Sequence, residues 1–130
     1  MRRVFTGLTA ALMLAVLVQF FLAGSGAFNP APTDEAFAPH RALGYLILLF
    51  AVLLTIVGAL ARVPGRLIGM TGLVAGLAVL QPVIAVVAGA LGESGVLVFG
   101  LHAVNGLAIA GIATSSARRA VVPKQTAASV

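Results

Sequence analysis

Four long apolar runs, parted by short polar breaks, limit what this chain can become more than any other feature of it. They extend from about Val4 to Ala23, Ala42 to Ala61, Leu67 to Leu91 and Val96 to Ala113. Each approaches the roughly 20 residues that an α-helix needs to cross the hydrocarbon core of a bilayer. A soluble chain would surround such segments with charge. Here 8% of 130 residues are charged and 61% are hydrophobic, where soluble domains carry roughly 25% charged residues. The expected fold is therefore an all-α integral membrane protein, a bundle of four transmembrane helices over about residues 4–23, 40–62, 67–91 and 95–116. They form one membrane domain, 1–117, followed by a polar stretch, 118–130, expected to be a disordered cytoplasmic tail.

The breaks between the runs are readable. Residues 24–39, GSGAFNPAPTDEAFAP, hold enough Gly, Pro and Asp to break a helix. Arg62-Val63-Pro64-Gly65-Arg66 and Gly92-Glu93-Ser94-Gly95 read as tight turns, with Ser94 placed to cap the fourth helix. Charge then orients the bundle. Arg2, Arg3, Arg62, Arg66, Arg118, Arg119 and Lys124 fall on one side of a four-span arrangement, while Asp34, Glu35, Glu93 and Arg41 fall on the other. Cytoplasmic loops are rich in Lys and Arg, so both termini are expected in the cytoplasm of a multi-pass protein of the cell membrane. A competing reading makes the first run a cleaved secretory signal, with Ser25-Gly26-Ala27 at the cleavage site. The run is longer than the about 7 to 15 residues of a signal's apolar region, which favours a retained helix.

Composition also excludes. The pI near 11.6 invites a nucleic-acid reading, but the bases sit singly or in pairs between apolar runs, without a stripe or interleaved aromatics. The expected partners are the lipid bilayer and a second copy of the chain or a membrane redox protein. The absence of cysteine rules out disulfides, thiolate metal sites and covalent c-type haem attachment.

Two histidines stand out against this background, and they share a pattern, F-x-x-H-x-x-x-G. It occurs as Phe37, His40, Gly44 and again as Phe99, His102, Gly106. Helices two and four run in the same direction, so the chain reads as two helix pairs in a parallel repeat about an axis along the membrane normal. Such an axis faces His40 towards His102 across the bundle. A glycine four residues after each histidine lies on the same face one turn deeper, where a missing side chain leaves room beneath the imidazole. Two facing imidazoles suit a six-coordinate haem b, whose iron takes one nitrogen from each side. Arg41 is placed to pair with a propionate. Gln19, Gln81 and Asn105 are candidates to orient the imidazoles through their second nitrogens. Gln81-Pro82 is expected to interrupt the third helix and free the carbonyl of Ala78. Gly65, Gly69, Gly72 and Gly76 fall down one face of that helix and suggest a close packing seam.

Plainer readings fit the same residues. His40 after Pro39 can be an interfacial residue, and His102 can be a neutral imidazole tying helices together at about 0.6 kcal/mol per bond. His40 also precedes its apolar run while His102 lies about six residues into its own, roughly 9 Å of depth at about 1.5 Å per residue.

The arrangement resembles one half of haem A synthase, whose halves are four-helix bundles with a histidine near the outer end of helices two and four. His40-Arg41, Leu101-His102 and the 62 residues between the histidines carry the likeness. The chain also resembles a family of small actinobacterial four-helix membrane proteins of no assigned function, through FxxHRxLGY and LHAxNG. Haem A synthase carries a glutamate three residues before its first histidine, where this chain has Phe37. The resemblance therefore implies at most the bis-histidine haem site and not the oxidative catalysis. A catalytic zinc wants three protein ligands, and every carboxylate here lies in an outer loop, which leaves no hydrolytic triad and no acid for a proton-coupled exporter. Two functions remain: a small b-type haem protein that moves electrons or handles haem near the outer leaflet, or a cofactor-free helical subunit packing with itself or a partner.

Overall fold

The computed structural model describes residues 2–121. They form four long helices: α1, Arg2–Ala27; α2, Ala38–Leu60; α3, Gly65–Ala90; and α4, Gly95–Val121. A one-turn helix, Thr33–Ala36, precedes α2, and a 3-10 turn, Gly92–Ser94, leads into α4. All four long helices have the length and composition to cross a membrane. Their outward faces carry large apolar side chains such as Phe21, Leu60, Val86 and Leu97, which is what lipid rather than water accepts. This is an all-α, four-helix membrane bundle.

Short connections force sequential helices to run antiparallel, and the ring closes. α1 packs against α2 and α4, and α3 packs against α2 and α4. The diagonals are therefore α1 with α3 and α2 with α4. The core runs along the bundle axis, with Leu12, Ala51, Val74 and Ala113 at most 1% exposed. Residues 62 apart take equivalent places in it: Thr9 and Thr71, Ile47 and Ile109, and Ala51 and Ala113 are identical pairs, each buried on both sides.

Several boundaries differ from those read in the sequence. α1 continues through Gly24 and Gly26 to Ala27. The bare face of Gly26 lets the one-turn helix come in against it, so a Cβ there would stand 3.0 Å from both the Ala36 carbonyl oxygen and the Phe37 ring. α3 is continuous across Pro82 rather than interrupted. α4 passes residue 117 and includes Arg118 and Arg119 in its last turn, where cations oppose the negative helix end and Ala117 and Ala120 are buried. Residues 122–130, with Lys124, lie outside the described residues.

The turns work by different means than expected. Val63 N–H bonds the Gly58 carbonyl at 3.0 Å and Arg62 N–H bonds Ala59 at 3.1 Å, a Schellman ending with Arg62 at φ 52°. Ser94 makes no capping bond, because it lies within the 3-10 turn that runs into α4. The glycine face of α3 is not an internal seam. Gly69 and Gly76 would meet nothing within 4 Å, and Gly72 alone approaches α2, at 3.6 Å from Thr55 Cγ2. Contact with α2 and α4 falls instead to Thr71, Val74, Ala75 and Ala78.

Candidate functional site

His40 is the third residue of α2 and His102 the eighth of α4, yet their rings lie opposite each other with centroids 6.1 Å apart and planes tilted by 49°. The depth difference suggested by the apolar runs is absent. Residues 33–36, counted 62 onward, correspond to 95–98, the opening turn of α4. The one-turn helix thus stands in for the turn that α2 lacks. Arg41 secures that break: its guanidinium donates to the Asp34 carbonyl oxygen and lies 4.0 Å from the Asp34 carboxylate. Arg41 is turned to the loop in this arrangement, away from the ring pair.

Each imidazole is held by the helix before it. His40 Nδ1 lies 3.1 Å from the backbone oxygen of Gln19, and His102 Nδ1 lies 3.2 Å from that of Gln81. A carbonyl only accepts, so Nδ1 carries a hydrogen on both rings, and in the neutral imidazole Nε2 is then the atom with the lone pair. The carbonyl of each glutamine, and not its amide, is what fixes the tautomer. Phe99 stacks on His102 at 5.0 Å and 7°, while Phe37 meets His40 edge-on at 6.2 Å and 90°.

The turn that each glycine leaves bare is filled by an amide. A Cβ on Gly44 would stand 3.1 Å from Gln19 Nε2, and one on Gly106 would stand 3.4 Å from Gln81 Nε2 and 3.5 Å from the Phe20 ring. Gln19 Nε2 donates to the His40 backbone oxygen at 2.8 Å and lies 3.4 Å from His40 Nε2. The Oε1 atoms of Gln19 and Gln81 are both buried without a partner. Asn105 Nδ2 donates to the Leu77 carbonyl at 2.8 Å, one residue before the carbonyl to which Pro82 has no N–H to give, and so ties α4 to α3 instead of touching an imidazole. Below the site the axis closes with Ile47, Ile109 and Val16.

The groups left for a ligand at this end are thus lone pairs: the Nε2 of His102, the Nε2 of His40 behind the Gln19 amide, and two amide oxygens. Such a set accepts a cation or a metal centre. A metal–imidazole bond is about 2 Å long, which puts the centres of two imidazoles on one ion about 6 Å apart. No group of three or more His, Asp or Glu side chains gathers among the described residues, so a metal that needs three protein ligands finds no site. Haem needs two.

A family model matches residues 19–90, more than half of the chain. The chain belongs to DUF6220, a family of unknown function. The DUF6220 match begins at Gln19 and takes in His40, Gly44 and Gln81, ending before His102. No curated protein and no solved structure matches the chain.

Sequence reasoning singled out Gln19 and Gln81 but missed what they do. The signal was available, since they are 62 residues apart, as the histidines are. Phe20, which covers Gly106, left no such signal, because its counterpart is Pro82.

Proposed function

We propose that His40 and His102 would hold a haem b through their imidazoles, and that the chain moves electrons or handles haem at one face of the cell membrane. The observation that carries this is the pair of Nδ1-tethered imidazoles, 6.1 Å apart, with His102 Nε2 open and His40 Nε2 facing only the Gln19 amide. A ligating histidine commonly donates its other ring N–H to a backbone carbonyl, which fixes the ring and raises its basicity. The group would supply one-electron chemistry. The chain itself supplies two imidazole ligands, the apolar floor at Ile47 and Ile109, and no carboxylate within the four long helices. A second reading draws support from the filled glycine turns: the imidazoles and amides serve only as ties between helices of a cofactor-free bundle.

An absorbance spectrum separates the two. Protein purified after expression with ample haem should show, when reduced, the sharp α and β bands of a six-coordinate b-type haem. A colourless protein that also fails to take up added haem would leave the second reading standing.

The sidedness of the site is tested on the same chain, which has no cysteine of its own. Thr33→Cys and Ser94→Cys, both exposed at the histidine end, should react with a membrane-impermeant thiol reagent in intact cells. Gly65→Cys, exposed at the opposite end, should react only once the membrane is opened. This follows from the rule that basic loops stay in the cytoplasm. The reverse labelling pattern would place the site on the cytoplasmic side.

A further inference from the structure

The two halves of the site, alike in their histidines, glycines and glutamines, part company at one atom. Gln19 Nε2 stands 3.4 Å from His40 Nε2, near enough to donate to its lone pair. Its counterpart Gln81 makes no such contact, and its Nε2 rests against the bare turn at Gly106. Among the described residues His102 Nε2 has no hydrogen-bond partner, while its ring is fixed on both sides, by the Gln81 carbonyl and by Phe99 stacked at 7°. His40 has the equivalent carbonyl tether from Gln19, but Phe37 meets it edge-on instead of stacking.

We infer that the two histidines act in order: His102 takes the incoming haem first, and Gln19 masks His40 until its amide withdraws and lets His40 close the site. This rests on the bis-histidine reading above. A lone pair that is accepting a hydrogen bond must be released before it can bind a metal, and His102 needs no such release. The withdrawal is easy for Gln19. The amide need only pivot about the 2.8 Å bond that the same Nε2 makes to the His40 backbone oxygen, and its Oε1 has no partner to lose. The tether on His40 Nδ1 also survives, because it is made by the backbone of residue 19 and not by its side chain.

The repeat supplies its own control. Ferric haem added to the purified haem-free protein in detergent should be followed by stopped-flow absorbance. The wild type should pass through a high-spin spectrum, one imidazole on the iron, before a slower phase gives the low-spin spectrum of two. Gln19→Leu should speed the slower phase about threefold, the equivalent of an average interhelical hydrogen bond in a membrane, and leave the first phase alone. Gln81→Leu should change neither phase. A single-step rise of the low-spin spectrum in the wild type, or equal responses to the two leucine variants, overturns the ordered closure while leaving the haem site intact. Failure of the wild type to bind haem at all overturns both.

Discussion

Gly95→Ala should damage the fold more than any other glycine substitution in the chain. Gly95 opens α4 and is buried against the last turns of α3. A Cβ built on it would overlap the Ala88 carbonyl oxygen and stand 2.7 Å from the carbonyl carbon and 3.1 Å from the Cα. These are backbone atoms, held in place by the α3 hydrogen-bond ladder, so no rotamer change relieves the overlap. The helices themselves must part at the corner where they pack most closely. Overpacking typically costs about 1–3 kcal/mol, and this site belongs at the upper end because neither partner is flexible. Gly100→Ala is the matched comparison: it lies on the same helix, its Cβ would meet nothing within 4 Å, and alanine gains about 0.8–1.0 kcal/mol of intrinsic helix propensity over glycine. Thermal unfolding in detergent should show Gly95→Ala well below wild type and Gly100→Ala at or above it. Equal melting temperatures would mean that the α3–α4 corner is looser than these contacts require.

That corner also marks where the sequence stops being readable. The four helices follow from apolar length, since a bilayer leaves a backbone no other way to satisfy its hydrogen bonds over such runs. Their ends do not follow, because ends are settled by neighbours. Gly24-Ser25-Gly26 looks like a helix breaker, yet α1 continues through it where the one-turn helix packs against Gly26. Arg118 and Arg119 look like the start of a tail, yet they extend α4 because Ala117 and Ala120 on the same turn are buried. The Thr6 hydroxyl reaches across to the Ala120 carbonyl at 3.0 Å.

The site shows the same division. The shared motif and the parallel repeat make the facing of His40 and His102 an expectation from the sequence, and the rings do lie opposite each other. What periodicity cannot carry is which atom of a residue is used. Gln19 and Gln81 contribute their carbonyls to the imidazoles, a role that any residue with the same backbone could fill, so the side-chain type alone was misleading. Their amides instead fill the turns at Gly44 and Gly106. The glycines there make room for a neighbouring side chain, a purpose as legible from four-residue spacing as room for a cofactor, and the spacing does not choose between them.

His102→Ala should leave a folded protein that loses the low-spin bands of a six-coordinate haem. The fold survives because His102 contributes one interhelical bond, about 0.6 kcal/mol on average, at the rim of a core that is built about three turns deeper around Leu12, Ala51, Val74 and Ala113. Bis-imidazole binding does not survive, because no second imidazole or methionine nearby replaces the ligand. α4 has no methionine, and the amide nitrogen of Asn105 is committed to the Leu77 carbonyl. With His102 gone, the one remaining imidazole is the one whose Nε2 faces Gln19. His40→Ala should be milder. His102 keeps its Phe99 stack and its carbonyl tether, so some haem stays on a single imidazole and the reduced spectrum turns high-spin instead of disappearing. Free imidazole supplied to His102→Ala separates a lost ligand from a damaged fold, since a small ring can enter the vacated volume and restore the low-spin bands only if the missing group was bonded to iron. Sharp low-spin bands in His102→Ala without added imidazole would place the ligand elsewhere. The same residue would then be a tie between α4 and α3, alongside Asn105.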